Sequence, residues 1–290
     1  MLHTQFRGPS PSLEPFVLFY TQREVRICGA VVVHPVPART CPMLGFDFRD
    51  SVTVKYGREQ IHRTSPKSIL VGLQTHRRLE MHLTGDLQSF FIMFRPEGFY
   101  RLFSTPMDEI TDGDYEAHSV LGSFVEQVRD RLGECESFDK RVCLVEKLLM
   151  QRALQAPDLD GIGAAASRIL QGGGQAAIPI LADEAGLSLR QFERRFIRQV
   201  GVRPKLFTRM TRFEGALERK ARFVNASWTD VAQEFGYYDQ MHMVHDFAEF
   251  TGGTPSETLA QLESLFVEPL RGIRRDRASA IAESNSRLIL

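Results

Sequence analysis

The chain has 290 residues, 43% hydrophobic and 25% charged, and its 36 Lys and Arg balance its 36 Asp and Glu. That length suggests about two domains of roughly 100–200 residues each, the composition is that of an ordinary soluble globular protein, and the neutral total gives no general affinity for nucleic acid. No apolar run approaches the ~20 residues that span a bilayer, and the N-terminus MLHTQFRGPSPSLEPF lacks the basic-then-apolar pattern of a signal peptide.

From about residue 16 to 95 the pattern is strand-like. Leu44, Phe46 and Phe48 alternate, as do Leu79, Met81 and Leu83 with Glu80 and His82 between them, and SFFIMF (Ser89 to Phe94) is a short bulky run. Segments of period two broken by Pro35, Pro37, Pro42, Gly57, Pro66, Gly72 and Gly85 predict a small antiparallel sheet or barrel. Which face of 79–83 points inward is open at this stage. Cys28, Cys41, Cys135 and Cys143 form no C-x-x-C pair. They are expected to be reduced packing thiols in a cytoplasmic protein, with no metal site.

After Pro96 the period turns helical. Helices are predicted over 119–132 and 137–154, with Ser119 and Ser137 as N-caps. The stretch QAPDLDGIG (Gln155 to Gly163) reads as a linker, and GGG (Gly172 to Gly174) as a turn. From about Ile162 to Leu262 everything looks helical. The tail beyond Phe266 carries Arg271, Arg274, Arg275 and Arg277 and reads as a frayed terminus. The expected division is 1–155, a linker at 156–163, a helical domain at 164–265 and a tail at 266–290.

Within the helical part a cassette occurs twice. Ala182-x3-Gly186 is followed by Phe196-x4-Gly201-x2-Pro204, and Ala232-x3-Gly236 by Phe247-x4-Gly252-x2-Pro255. The alanine lets two helices cross closely, and the glycine takes the left-handed backbone that ends the first of them. In the first copy Ser188 is the expected N-cap, and Leu189, Phe192, Phe196 and Val200 share a face that should dock on Ile180, Leu181 and Ala185. Arg190, Glu193, Arg194 and Arg198 fall on the opposite face, able to reach base edges and phosphates in a major groove. Aligned onto the second copy, with Asp239 as N-cap, Arg190, Glu193 and Arg194 become Met241, Val244 and His245. Pro204 to Arg222 is 19 residues, about 28 Å of helix. Such a spacer can set two readers in successive major grooves, about 34 Å apart.

Charge separates the two copies. Leu187 to Arg222 holds eleven Lys and Arg against three Asp and Glu, whereas Phe223 to Ala260 holds six acids and no Lys or Arg. The first half carries the electrostatic footprint of phosphate contact. The second would depend on helix N-termini near Thr229 and Thr254 and on Gln240, Met241, His242 and His245.

The doubled motif, with Ala232, Gly236, Tyr237, Phe247, Gly252 and Pro255 as its clearest copy, resembles the tandem helix-turn-helix domain of the AraC/XylS family of bacterial transcription regulators. The stretches Ile69 to Thr75 and Ser89 to Asp112 resemble, less specifically, the cupin-like sensor domain of some of these regulators. The resemblance implies an α+β chain: an antiparallel β-barrel with helices, then an all-α domain with two helix-turn-helix units on a long helix. It implies contact with double-stranded promoter DNA through Arg190, Glu193, Arg194, Gln240, Met241 and His245. It also implies a small-molecule effector, RNA polymerase and a second copy of the chain as partners. The helices at 119–132 and 137–154 are candidate dimer elements.

Catalysis is not expected, and neither is a cofactor. His34, His62, His76 and His82 are isolated in the sequence, no H-x-H occurs in the barrel, and G-x-S-x-G, P-loop and G-x-G-x-x-G patterns do not occur. The competing reading is a small-molecule-binding or catalytic barrel whose helical half serves protein interaction.

Overall fold

The computed structural model describes residues 2–57 and 61–263; the tail assigned to 266–290 lies outside them. The N-terminal part is one antiparallel sheet. Its strands are β1 (Leu2–Arg7), β2 (Val17–Pro35), β3 (Met43–Asp47), β4 (Thr53–Tyr56), β5 (Ile61–Thr64), β6 (Ser68–Val71), β7 (Leu79–Phe94) and β8 (Asp114–Glu116). The order is β1-β2-β7-β3-β6-β8, with β4 joining β7 and β5 pairing with β4.

The long strands β2 and β7 form the spine. β2 runs along one edge of β7, while the other edge pairs with β4 over residues 79–82 and with β3 over 89–93. Changing partners midway lets β7 curve over an interior. Gly45 permits the close packing at β3: a Cβ there would meet the ring of its cross-strand partner Phe91 at 2.9 Å.

The helices that follow are α1 (Pro96–Phe103), α2 (Met107–Ile110), α3 (Ala117–Leu121), α4 (Ser123–Gly133) and α5 (Phe138–Ala153). Ser137 caps α5, accepting from the backbone N–H of Lys140. The continuous helix expected over 119–132 is instead split, because Gly122 sits at φ 62°, ψ −150° between α3 and α4. Ser119 does not cap; it lies inside α3, and its hydroxyl donates to the Glu116 carbonyl.

The C-terminal part is helical throughout: α6 (Gly161–Gln171), α7 (Ile178–Glu184), α8 (Leu189–Val200), α9 (Pro204–Arg222), α10 (Trp228–Glu234), α11 (Gln240–Thr251) and α12 (Pro255–Glu263). α6 starts three residues inside the expected linker because Asp160 caps it, accepting from Ile162 and Gly163. Pro204 opens α9, where its missing N–H costs nothing. Among the described residues no helix is long and apolar enough to cross a membrane.

The hydrophobic core does not divide at the linker. One cluster runs from the sheet (Leu44, Phe46, Phe90, Phe94) through Phe99 and Val142 into Ile169, Phe192, Phe196 and Phe207. A second gathers Met210, Phe213, Leu217, Val231, Met243, Phe247 and Phe250, with Ala38 of the sheet domain at its margin. The seam falls within α9, so the first helix-turn-helix unit shares its core with the sheet domain.

Candidate nucleic-acid interface and effector cavity

In the first unit the chain leaves α7 through Gly186, at φ 66°. It enters α8 through a capping box, in which Ser188 accepts from the Gln191 backbone N–H while the Gln191 side chain accepts from Ser188. The box satisfies two backbone N–H groups at the start of α8 from within four residues of chain. Phe192, Phe196 and Val200 are fully buried along one side of α8, against Leu181 and Ala182 of α7. The buried stripe is narrower than the expected one. Leu189 and Ile180 are each about half exposed, Leu189 because it is the first residue of α8, ahead of the turn that meets α7.

The second unit repeats the construction with different caps. Ser227 caps α10, Gly236 makes the turn at φ 67°, and Asp239 caps α11 by accepting from the His242 N–H at 2.7 Å. Met243, Phe247 and Phe250 are fully buried, and the Trp228 and Phe247 rings meet edge-on at 5.6 Å. Thr254 begins α12 and exchanges hydrogen bonds with Glu257.

All seven residues selected from the sequence are exposed: Arg190, Glu193, Arg194 and Arg198 on α8, and Gln240, Met241 and His245 on α11. Arg190 and Arg194 stand on the open N-terminal part of α8. Arg198 differs. It lies against the Tyr100 hydroxyl of α1, with Asp108 and Glu109 of α2 beside it, and this acceptor raises its pKa above the usual arginine range. The same end of α8 is tied down by Thr111, which donates to the Gly201 carbonyl, and by Gln199, which donates to Asp160.

The charge asymmetry in the sequence is partly undone by folding. Arg209 of α9 donates to Asp246 and Glu249 of α11, and Arg219 donates to Glu234 of α10. Arg212 donates to the Gly236 carbonyl, and Lys220 donates to the carbonyls of Val224 and Ala226. Half of the acids of the second unit are thus neutralised by α9, and these α9 cations are committed to structure. Arg190, Arg194, Arg195, Arg203 and Lys205 remain as an exposed cationic group around α8 and the start of α9.

A second feature was not legible in the sequence. A cavity of about 390 Å³ lies between the curved sheet and α9. Leu79, Met81 and Leu83 line it with Phe91 and Met93, so this face of β7 is the inner one. Its polar end is formed by Arg23, His34, Arg39 and Gln74 from the sheet domain and by Glu214 and Glu218 from α9. Burial, reinforced by the neighbouring Arg39, lowers Arg23 to about 9. Burial, with Arg23 and Arg77 adding to it, lowers His34 to about 3. Glu214 accepts from the Thr40 N–H at 2.7 Å and from the Thr40 hydroxyl at 2.5 Å. Burial still leaves its pKa raised. Glu214 and Glu218 could have been suspected: they are like charges four apart on one face of a basic helix, an arrangement that weakens an isolated helix.

The histidines are less isolated than the sequence suggests, for the His62 and His82 rings meet edge-on at 5.2 Å. Among the described residues no group of three or more His, Cys, Asp or Glu is arranged to hold a metal ion.

Comparisons with known proteins follow this division. Residues 181–261 match a family profile described as "Helix-turn-helix domain", and residues 5–116 match "Domain of unknown function (DUF6597)". No curated protein matches the chain. Among solved structures, ToxT from Vibrio cholerae strain SCE256 with an unsaturated fatty acid bound is 9% identical, with 91% of this chain and 97% of that chain covered and a TM-score of 0.49. The DNA-binding domain of the global transcriptional factor AdpA, in complex with a target DNA, is 24% identical over 36% of this chain and 95% of that one, at a TM-score of 0.33. A putative ethanolamine utilization protein from Salmonella typhimurium is 4% identical over 32% of this chain and 69% of that one, at a TM-score of 0.24. Two capped helix-turn-helix units on one connecting helix, together with the profile match, make the C-terminal part of this chain an AraC-type helix-turn-helix domain, the DNA-binding module of a transcription regulator, carried behind an N-terminal antiparallel sheet domain.

Proposed function

We propose that the protein is a sequence-specific promoter-binding regulator whose grip on DNA is set by a small molecule in the cavity under α9. The observation that carries this reading is the double duty of α9. It joins the two helix-turn-helix units, and it also forms a wall of the cavity through Phe213, Glu214, Leu217 and Glu218. A ligand that moves α9 moves both readers.

The chemistry of the cavity suits an anionic molecule with an apolar body. Its walls are mainly apolar, and its volume falls in the range of ligand pockets, about 300–1,000 Å³. Arg23 and Arg39 stand at its polar end with Glu214 and Glu218; an anion that enters gains charge-assisted hydrogen bonds from the guanidinium groups. On the DNA side, Arg190, Glu193 and Arg194 read base edges at the open end of α8, Arg195, Arg203 and Lys205 hold phosphates, and Gln240, Met241 and His245 face DNA from α11.

A mobility-shift assay of the full chain on the region upstream of its own gene tests the DNA reading. With about five phosphates neutralised, log K falls by about 0.9 per phosphate per log unit of salt. Affinity should therefore drop by roughly 10²–10³ between about 50 and 200 mM salt. No shift with any nearby promoter at low salt overturns it. For the cavity, 1-anilinonaphthalene-8-sulfonate serves as an anionic apolar probe. It should bind in a saturable way and change the DNA affinity, and Arg23→Met with Arg39→Met should abolish both effects.

A further inference from the structure

The two readers differ in chemistry, and the difference specifies a base. Met241 is the second residue of α11, the place that Arg190 holds in α8. With Met243, Phe247 and Phe250 buried on the opposite side, Met241 projects outward and is 71% exposed. Tyr238, just before the helix cap, is 93% exposed. The N-terminal residues of the second helix in such a unit are those that meet base edges in the major groove.

Phe223 to Ala260 supplies that surface with no Lys or Arg to grip phosphate or to clasp guanine. Its acids are occupied as well: Asp239 caps α11, and Asp246 and Glu249 accept from Arg209. What its leading edge offers is a flexible thioether, a phenol ring and an amide, with the imidazoles of His242 and His245 further along α11. The Gln240 carbonyl accepts from the Thr229 hydroxyl at 3.2 Å, which leaves the two amide N–H groups as the outward donors. In the major groove thymine alone presents a methyl group, and it presents an acceptor, O4, beside that methyl.

We infer that the second helix-turn-helix unit reads thymine, with the Met241 side chain seated on the C5-methyl group and the Gln240 amide donating to O4 of the same base or of its neighbour. The inference rests on the promoter-binding reading above and adds the base that α11 selects. It gives the second unit, which carries no Lys or Arg, a role in specificity that needs no counterion release.

The test uses the full chain. Duplexes are selected from a random-sequence pool, and in the best of them each thymine is replaced in turn by deoxyuridine, which lacks only the methyl group. At one or two positions wild type should bind the deoxyuridine duplex about fourfold more weakly, the worth of one buried methyl group. Met241→Ala should weaken binding to the thymine duplex by a similar factor and no longer distinguish the two bases. Met241→Leu should keep the distinction. Indifference of wild type to every deoxyuridine overturns the inference, as does a methyl preference that survives undiminished in Met241→Ala. A pool from which no sequence is enriched overturns the promoter-binding reading itself, so the two failures are separable.

Discussion

The Glu214 carboxylate of α9 accepts both the backbone N–H and the hydroxyl of Thr40, 174 residues earlier in the chain. A buried carboxyl of the DNA-binding domain is thereby satisfied only by a turn of the sheet domain, and the two halves are held by a bond that neither can make alone.

Thr40→Val removes the hydroxyl and keeps the shape. Leaving Glu214 buried with one partner fewer should cost about 1–3 kcal/mol, read as a lower midpoint in urea. The pH dependence has a definite sign. The folded pKa of Glu214 is raised above its usual 4.5, so its contribution is full below that value and is lost as pH rises towards the folded pKa. Glu214→Gln should therefore gain on wild type in thermal stability at pH 8 relative to pH 4.5. An unchanged difference between those two pH values contradicts the assignment.

His34 acts in the opposite sense. It is 1% exposed, and its folded pKa is lowered to about 3 from 6.5. The unfolded chain takes up the proton first, so stability is full above about 6.5 and falls as pH drops towards 3. His34→Gln should flatten the slope of unfolding free energy between pH 6.5 and 4.

The cations of the helical domain should sort into two classes. Arg209→Ala strands Asp246, which is 2% exposed, and should cost about 3–5 kcal/mol of stability with little change in the salt dependence of DNA binding. Arg195→Ala should leave the melting temperature alone and lower the salt slope by about one. Arg194→Ala should cost about 1–3 kcal/mol of specific binding, and His245→Ala less at pH 7.5. Equal losses at Arg194 and His245 would refute a dominant first reader.

Arg198 is engaged by the sheet domain through Tyr100, Asp108 and Glu109. Tyr100→Phe combined with Asp108→Asn and Glu109→Gln should release it and remove negative charge beside α8. DNA affinity at low salt should rise severalfold, and the gain should shrink at about 0.5 M salt, where surface charges are screened. No gain at low salt would show that α2 does not restrain the reader.

The two helix-turn-helix units were legible in the sequence because every feature that makes them is local. Spacing fixed the buried stripe Phe192, Phe196 and Val200, side-chain chemistry fixed the caps Ser188 and Asp239, and Pro204 and Arg222 bound α9 as expected. The break at Gly122 is also local, but a glycine tolerates both helix and turn, and only the docking of its neighbours selects one.

The sequence by itself determined that two helix-turn-helix units of unequal charge hang on one helix. Only the tertiary structure decided where those charges go. Arg209 meets Asp246 across 37 residues, Thr40 meets Glu214 across 174, and Arg23 and Arg39 come together at one end of a cavity that exists only when β7 curves and α9 closes over it. Periodicity and capping are short-range and leave a trace in neighbouring residues; burial and charge pairing are set by distance in space, which linear order does not record.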